Sequence, residues 1–176
     1  GRIECPKKNG GIVFGTGFHV RNYSTMITAA HVFYDPDDNS KIDVTSCKAV
    51  FYNANGTVRE SVGISLVKSR WDQPRKFNDI TNDIAIIKLE SATKTPEIIS
   101  GIRYGESFSS VSNVTMAGFH GDMPSQIEKR ILRRMAGVAV NAPIDNLHAI
   151  MARDRKEPFG NPENLMVASY DSNHGT

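Results

Sequence analysis

Short apolar runs recur along the whole chain, and residues that favour turns separate them. Most of these runs have the length and composition of β-strands. The pattern predicts strands at 12–20, 25–28, 44–52, 58–68 and 84–89, and then at 111–119, 135–140, 148–152 and 165–170. Many short strands with Gly, Asn, Asp and Pro between them favour an all-β sandwich or barrel over a parallel α/β sheet.

The stretch 93–108 interrupts this pattern near the middle of the chain. It contains Pro96, Gly101 and Gly105 and few strong strand formers. We interpret it as a connector between two β-domains of similar size. The first domain then covers residues 1–92 and the second covers residues 109–176.

The residues from Ser125 to Met135 allow two interpretations. A Glu lies three positions after Ser125, as in a capping box, and Ile127, Ile131 and Met135 are spaced four apart. A short amphipathic helix fits this spacing, and so does a loop that leads into a strand. No aromatic residues lie between the basic positions for base stacking, so we expect a solvated face rather than a nucleic-acid site. The basic residues are Lys129, Arg130, Arg133 and Arg134.

Composition narrows the functional classes. The chain has 176 residues, of which 39% are hydrophobic and 23% charged, as in ordinary globular proteins. With 21 basic and 19 acidic residues the net charge is +2, which indicates neither a nucleic acid nor a membrane as partner. No apolar run approaches the roughly 18 to 20 residues that a transmembrane helix needs.

Cys5 and Cys47 are too few for a disulfide framework or a zinc site made of cysteine alone. The sequence does not decide between two buried free thiols and one disulfide. Asn-x-Ser/Thr acceptors at Asn22, Asn55 and Asn113 would matter only in a eukaryotic secretory pathway. These residues therefore leave the compartment undetermined.

Two polar residues stand at the ends of apolar strands. His31 follows two alanines just past the strand in "MITAAHVF", where small neighbours leave its ring accessible. Asp83 stands directly before the apolar run of "TNDIAIIKLE", with Asp79 as a rival nearby. Alone, each has an ordinary structural interpretation, a core or loop histidine and a turn aspartate. Asp83 gains a catalytic meaning only if its carboxylate faces a histidine and orients the imidazole.

The remaining histidines of the strand regions do not suggest a metal site. His19, His120 and His148 are scattered and lack the spacing of metal ligands. We therefore predict no metal and no cofactor.

Together, "ITAAHV" and the "NDIAIIKL" that follows some fifty residues later resemble the trypsin-like (chymotrypsin-fold) serine peptidases. "GTGF" before the histidine and "MAGFHGD" are similar to the bacterial and HtrA-like branches, including the glutamyl endopeptidases. The resemblance implies two six-stranded antiparallel β-barrels with an active site between them. It also implies that His31 is the general base and then the general acid, and that Asp83 is its orienting carboxylate.

The last residues fit the same resemblance. Gly175 and Thr176 match the first two positions of the family's Gly-x-Ser-Gly turn, so we expect the nucleophilic serine directly after Thr176. The second barrel would then be incomplete in this chain, and the fragment alone inactive. The N–H of Gly175 would belong to the oxyanion hole, which stabilises the charged intermediate. Thr176 in place of an aspartate, and the start "GRIEC", argue against activation by N-terminal cleavage.

Asp171 and His174 are the candidate substrate-pocket residues, and each has two interpretations. Asp171 matches the pocket aspartate of trypsins, which would select Arg or Lys, and also a strand-end aspartate of the HtrA-like and glutamyl branches. His174 could bind an acidic substrate side chain or be a plain loop residue.

The sequence thus predicts a serine endopeptidase that acts on polypeptides through an acyl-enzyme, with a secreted or periplasmic location favoured. A second chain that carries the serine is one explanation of the ending. A cysteine-nucleophile peptidase of the same fold, and a non-catalytic binding or scaffold protein, remain alternatives. Activity should rise through about pH 6.5 to 7, where an ordinary imidazole loses its proton.

Overall fold

The computed structural model describes residues 1–69, 71, 82–94, 111–121, 123–140 and 167–168. Its strands are β1 Arg2–Pro6, β2 Ile12–Thr16, β3 Phe18–His19, β4 Thr25–Thr28, β5 Lys48–Tyr52, β6 Val58–Ser69, β7 Ala85–Leu89, β8 Val111–Gly118, β9 Arg133–Val140 and β10 Val167–Ala168. Among the described residues, 3-10 turns lie between the strands at Ala30–Phe33, Val44–Ser46 and Glu128–Arg130. The prediction of an all-β fold is confirmed. In the described part of the chain, no helix is long and apolar enough to cross a bilayer.

The first seven strands form a nearly closed antiparallel barrel. Their order is β2-β1-β5-β6-β7-β4-β3, and only Gly17 separates the two end strands along the chain. The segment 12–19 pairs with β1 through its first half and with β4 through its second half. Counted as one strand, β2 and β3 therefore complete a barrel of six strands.

The second half contributes a smaller sheet in the order β10-β9-β8. β8 and β9 pair along their full length, from Val111 opposite Val140 to Gly118 opposite Arg133. The division into two domains at the connector stays a prediction. The strand predicted at 148–152, most of the connector and all of 165–170 except residues 167 and 168 lie outside the described residues.

Alternation along the strands fills the first barrel. In β7, Ala85, Ile87 and Leu89 are buried, while the residues between them are exposed. The core also contains a disulfide between Cys5 in β1 and Cys47 beside β5, and both residues are fully buried. The structure therefore decides between the two alternatives for the cysteines in favour of a disulfide.

One predicted strand starts too early, and one observed strand was missed. The predicted strand 44–52 begins only at Lys48, because Val44–Ser46 forms a 3-10 turn. Asp43 starts that turn by accepting a hydrogen bond from the Thr45 N–H at 3.0 Å. In addition, β1 was not predicted at all, since its alternate positions carry Arg2 and Glu4 rather than apolar residues.

The segment from Ser125 to Met135 is a loop that leads into a strand. Its capping box is present, because the Glu128 N–H donates to Ser125 Oγ at 3.1 Å and Glu128 Oε2 accepts from the Ser125 N–H at 3.2 Å. Only one 3-10 turn follows, and β9 begins soon afterwards. The basic face is also only partly solvated, since Arg130 is half-buried, with its guanidinium 5.8 Å from the ring centre of Tyr52.

Candidate active site

Strand pairing brings the two candidate catalytic residues together. β4 and β7 run antiparallel, with Thr28 at the end of β4 opposite Ala85 at the start of β7. Residues just after Thr28 therefore lie beside residues just before Ala85. His31 and Asp83 occupy these two positions.

The carboxylate of Asp83 holds His31 by two hydrogen bonds. The His31 side chain donates from Nδ1 to Oδ2 of Asp83 at 2.7 Å, and the His31 backbone N–H donates to Oδ1 at 2.8 Å. A carboxylate oxygen accepts, so the imidazole carries its proton on Nδ1 and presents Nε2 as a base. The arrangement fixes both the position and the tautomer of the ring.

Burial differs between the two partners in a way that suits a proton-transfer site. The Asp83 side chain is 14% exposed, while that of His31 is 42% exposed. Burial by itself raises the pKa of Asp83. The hydrogen bonds and charge of His31, together with the Ala30 backbone N–H, outweigh burial and lower that pKa below its usual value. Asp83 therefore stays ionised at neutral pH and faces an imidazole that a substrate can reach.

The short 3-10 turn Ala30–Phe33 carries His31, and strand β2 supports this turn closely. A side chain added at Gly15 would overlap the Cγ2 methyl of Val32, so only glycine allows β2 to approach the turn. Thr28 donates from Oγ1 to the backbone oxygen of Thr16 at 2.9 Å, which fixes the end of β4. The sequence indicated small residues beside the histidine, but it did not show that Gly15 on the neighbouring strand is the critical one. The "GTGF" motif was the available signal.

The other candidate site residues are not placed by the structure. Asp171, His174 and Gly175 lie outside the described residues, and so does Asp79. The geometry therefore brings together His31 and Asp83, while the pocket and oxyanion-hole assignments stay predictions.

His19 belongs to the core rather than to the site. Its ring stacks on Phe51 with ring centres 5.4 Å apart, and its Nε2 lies 3.3 Å from Thr93 Oγ1. Across the residues that the structure describes, no group of three His, Cys, Asp or Glu side chains could hold a metal ion.

Comparison with known proteins decides the family. The family model described as Trypsin matches residues 7–140, a span that includes both His31 and Asp83. The chain belongs to the trypsin family. The assignment to a bacterial or HtrA-like branch stays a prediction.

Solved structures show the same fold for this trypsin-family chain. It is similar to the scabies mite inactivated protease paralogue S-I1, with 16% identity and a TM-score of 0.67, over 97% of this chain and 70% of that one. It is also similar to the protease Anisep from Arthrobacter nicotinovorans, with 17% identity and a TM-score of 0.58, over 85% and 67% of the two chains. A structure named GrC gives 16% identity and a TM-score of 0.59, over 87% of this chain and 62% of that one.

The similarity covers part of each of these structures. The chain spans 62% to 70% of the length of these three solved structures. No curated protein matches it in a sequence search. At these identities the likeness shows the fold, and one of the similar proteins is an inactivated paralogue. Activity therefore has to be argued from the site of this chain.

Proposed function

We propose that this trypsin-family protein is a serine endopeptidase in which His31 is the general base and Asp83 orients it. The proposal is supported by the two hydrogen bonds that the Asp83 carboxylate accepts from His31, one from Nδ1 at 2.7 Å and one from the backbone N–H at 2.8 Å. Both together hold the imidazole in the tautomer that accepts a proton at Nε2.

The proposed mechanism uses the serine expected directly after Thr176 as nucleophile. Its hydroxyl attacks the peptide carbonyl while Nε2 of His31 takes the proton, and ionised Asp83 stabilises the imidazolium. The Gly175 N–H would donate to the developing oxyanion, an interaction worth about 3 kcal/mol per donor. His31 then gives the proton to the leaving amine, and water hydrolyses the acyl-enzyme by the same steps.

The substrate would be a polypeptide. Cleavage after Arg or Lys would follow if Asp171 forms the floor of the pocket, and a preference for acidic residues would follow if His174 lines it. The buried disulfide between Cys5 and Cys47 supports a secreted or periplasmic location, because disulfides persist in oxidising compartments.

A scaffold function is the second candidate, because one similar structure is an inactivated protease paralogue. The intact His31–Asp83 pair favours the peptidase, since a scaffold has no need of an oriented imidazole. A cysteine nucleophile in place of the serine remains a variant of the same proposal.

The test is hydrolysis of casein by the encoded protein, including the residues that follow Thr176, before and after treatment with a fluorophosphonate. We expect hydrolysis, its loss with the fluorophosphonate, and its loss in His31→Ala. His19→Gln is the matched control, because it also removes an imidazole from the first barrel, but one that belongs to the core rather than to the site. It should retain activity.

Three other outcomes would change the conclusion. Inhibition by iodoacetamide but not by the fluorophosphonate would assign a cysteine nucleophile. A folded protein that neither hydrolyses casein nor reacts with either reagent would be a scaffold. Hydrolysis that survives His31→Ala would remove His31 from the mechanism.

A further inference from the structure

We propose that Thr16 is a positioning residue that couples the His31-bearing barrel to the second half of the chain. The inference rests on the proposed function, because it concerns the distance between His31 and the nucleophile that is expected directly after that second half. Thr16 is the last residue of β2 and makes two hydrogen bonds in different directions.

The first hydrogen bond connects Thr16 to the histidine. Its backbone oxygen accepts from Thr28 Oγ1 at 2.9 Å, and the Thr28 residue is only 4% exposed. Thr28 ends β4 and precedes His31 by three residues. A movement of Thr16 is therefore transmitted to the start of the turn that carries the imidazole.

The second hydrogen bond connects Thr16 to the other half of the chain. Its Oγ1 accepts from the Phe119 backbone N–H at 3.0 Å, across a sequence separation of 103 residues. Phe119 directly follows β8 and is 3% exposed, so its N–H is shielded from bulk water. A buried backbone N–H that loses its acceptor carries a penalty, and the chain is expected to shift in order to avoid it.

A neighbouring contact shows that the two halves meet at this part of the barrel. Arg2 is the register partner of Thr16 in the β1–β2 pair, and its Nη1 donates to the backbone oxygen of Lys129 at 3.0 Å. The Thr16–Phe119 and Arg2–Lys129 hydrogen bonds thus start from one strand pair of the first barrel. Both end in the segment between β8 and β9, one at its beginning and one further along. Thr16 differs from Arg2 in that it also holds the His31 strand directly.

The side chain requirement is specific. Valine has the shape of threonine but no acceptor, whereas serine keeps the hydroxyl. The two substitutions therefore separate the effect of the hydrogen bond from the effect of packing at this position. The matched control is Thr25→Val, at the other end of β4 from the histidine.

The experiment compares Thr16→Val, Thr16→Ser and Thr25→Val in the full encoded protein. Steady-state kinetics on a peptide substrate and hydrogen exchange of the Phe119 amide are measured together. We expect Thr16→Val to lower kcat about ten- to hundredfold with KM changed less than about twofold, since a misplacement of about 1 Å has effects of this size. Thr16→Ser and Thr25→Val should stay within about twofold of the wild type, on the same scale. Exchange of the Phe119 amide should accelerate at least tenfold in Thr16→Val alone.

Several results would overturn the inference. A kcat in Thr16→Val within twofold of the wild type would do so, as would an equal loss in Thr25→Val. Unchanged exchange at Phe119 would remove the link between the halves, whatever the kinetics show. Absence of peptidase activity in the wild type would instead refute the proposed function, and the exchange measurement would still decide whether the link exists.

Discussion

The disulfide between Cys5 and Cys47 is expected to supply a large part of the stability of the first barrel. It joins residues 42 positions apart, and it connects β1 to the start of β5. In the loop-entropy model a closed loop of this length stabilises the folded state by about 4 kcal/mol at 25 °C. Both cysteines are fully buried, so replacing them with alanine also removes packed atoms from the core. The variant Cys5→Ala/Cys47→Ala should therefore lose about 4 kcal/mol or more of unfolding free energy.

Urea unfolding can measure this loss through the fluorescence of Trp71, the one tryptophan of the chain, which is buried. With an m-value of about 2 kcal/mol per molar urea, the expected loss lowers the midpoint by about 2 M. The m-value itself should rise, because the unfolded chain without the cross-link exposes more surface. A loss below about 1 kcal/mol would refute the reasoning, since it would fall under the range typical of native disulfides. The oxidised wild type, unfolded and refolded in parallel, is the control.

Three further predictions follow from local contacts. Gly15→Ala should lower the unfolding free energy by about 1 to 3 kcal/mol and reduce kcat as well, because the new methyl group overlaps Val32. Thermal unfolding and steady-state kinetics on one preparation check this, and an unchanged stability and kcat would contradict it. Arg2→Met should lose about 3 kcal/mol of unfolding free energy, measured by urea unfolding, because it leaves the charge of Glu4 unpaired. Arg2 is 4% exposed, and its Nε lies 2.8 Å from Glu4 Oε1. Glu4→Gln, which keeps the shape of the side chain, should lose less. The folded pKa of Asp83 lies below its ordinary 3.8, so its contribution to the stability of the folded state is present above about pH 4 and is lost as the pH falls through the folded value. In Asp83→Asn, the urea midpoint should therefore fall less steeply as the pH is lowered below about 4. An unchanged pH dependence of the midpoint would contradict the assignment.

The contact between His31 and Asp83 could be predicted from the sequence because both residues stand in extended motifs. His31 and Asp83 each follow or precede an apolar strand, and the pairing of β4 with β7 joins them at one end of the barrel. The supporting residues could not be predicted, because their roles depend on which strands are neighbours. Gly15 matters only because β2 packs against the turn after β4, and Thr16 only because it meets Phe119, 103 residues away.

For the fold as well, features set by local sequence could be predicted, while features that depend on which strands are neighbours could not. Strand β4 was predicted at its observed bounds, since Thr25–Thr28 consists of strand formers around Met26 and Ile27 and follows the turn residues Asn22 and Ser24. β1 was missed because Arg2 and Glu4, which share one face of the strand, interrupt its apolar pattern, and their burial as an ion pair depends on the fold. In the segment 125–135, the capping box at Ser125 was predicted correctly, but the helix that it suggested ends after one turn. A local motif does not determine the length of a helix when the residues that follow pair with a strand, here β8. The cysteines could not be assigned, because their approach depends on the pairing of β1 with β5.

The central claim is that His31 and Asp83 act as one catalytic unit, and a double-mutant cycle on kcat/KM tests it most directly. Asp83→Asn alone should lower activity about 10⁴-fold, because the asparagine cannot accept from both the ring and the backbone N–H and the wrong tautomer results. His31→Ala alone should lower activity about 10⁶-fold. We predict that Asp83→Asn then costs nothing further in the His31→Ala background. Losses that multiply in the double variant would show that the two residues act independently, and would contradict the account.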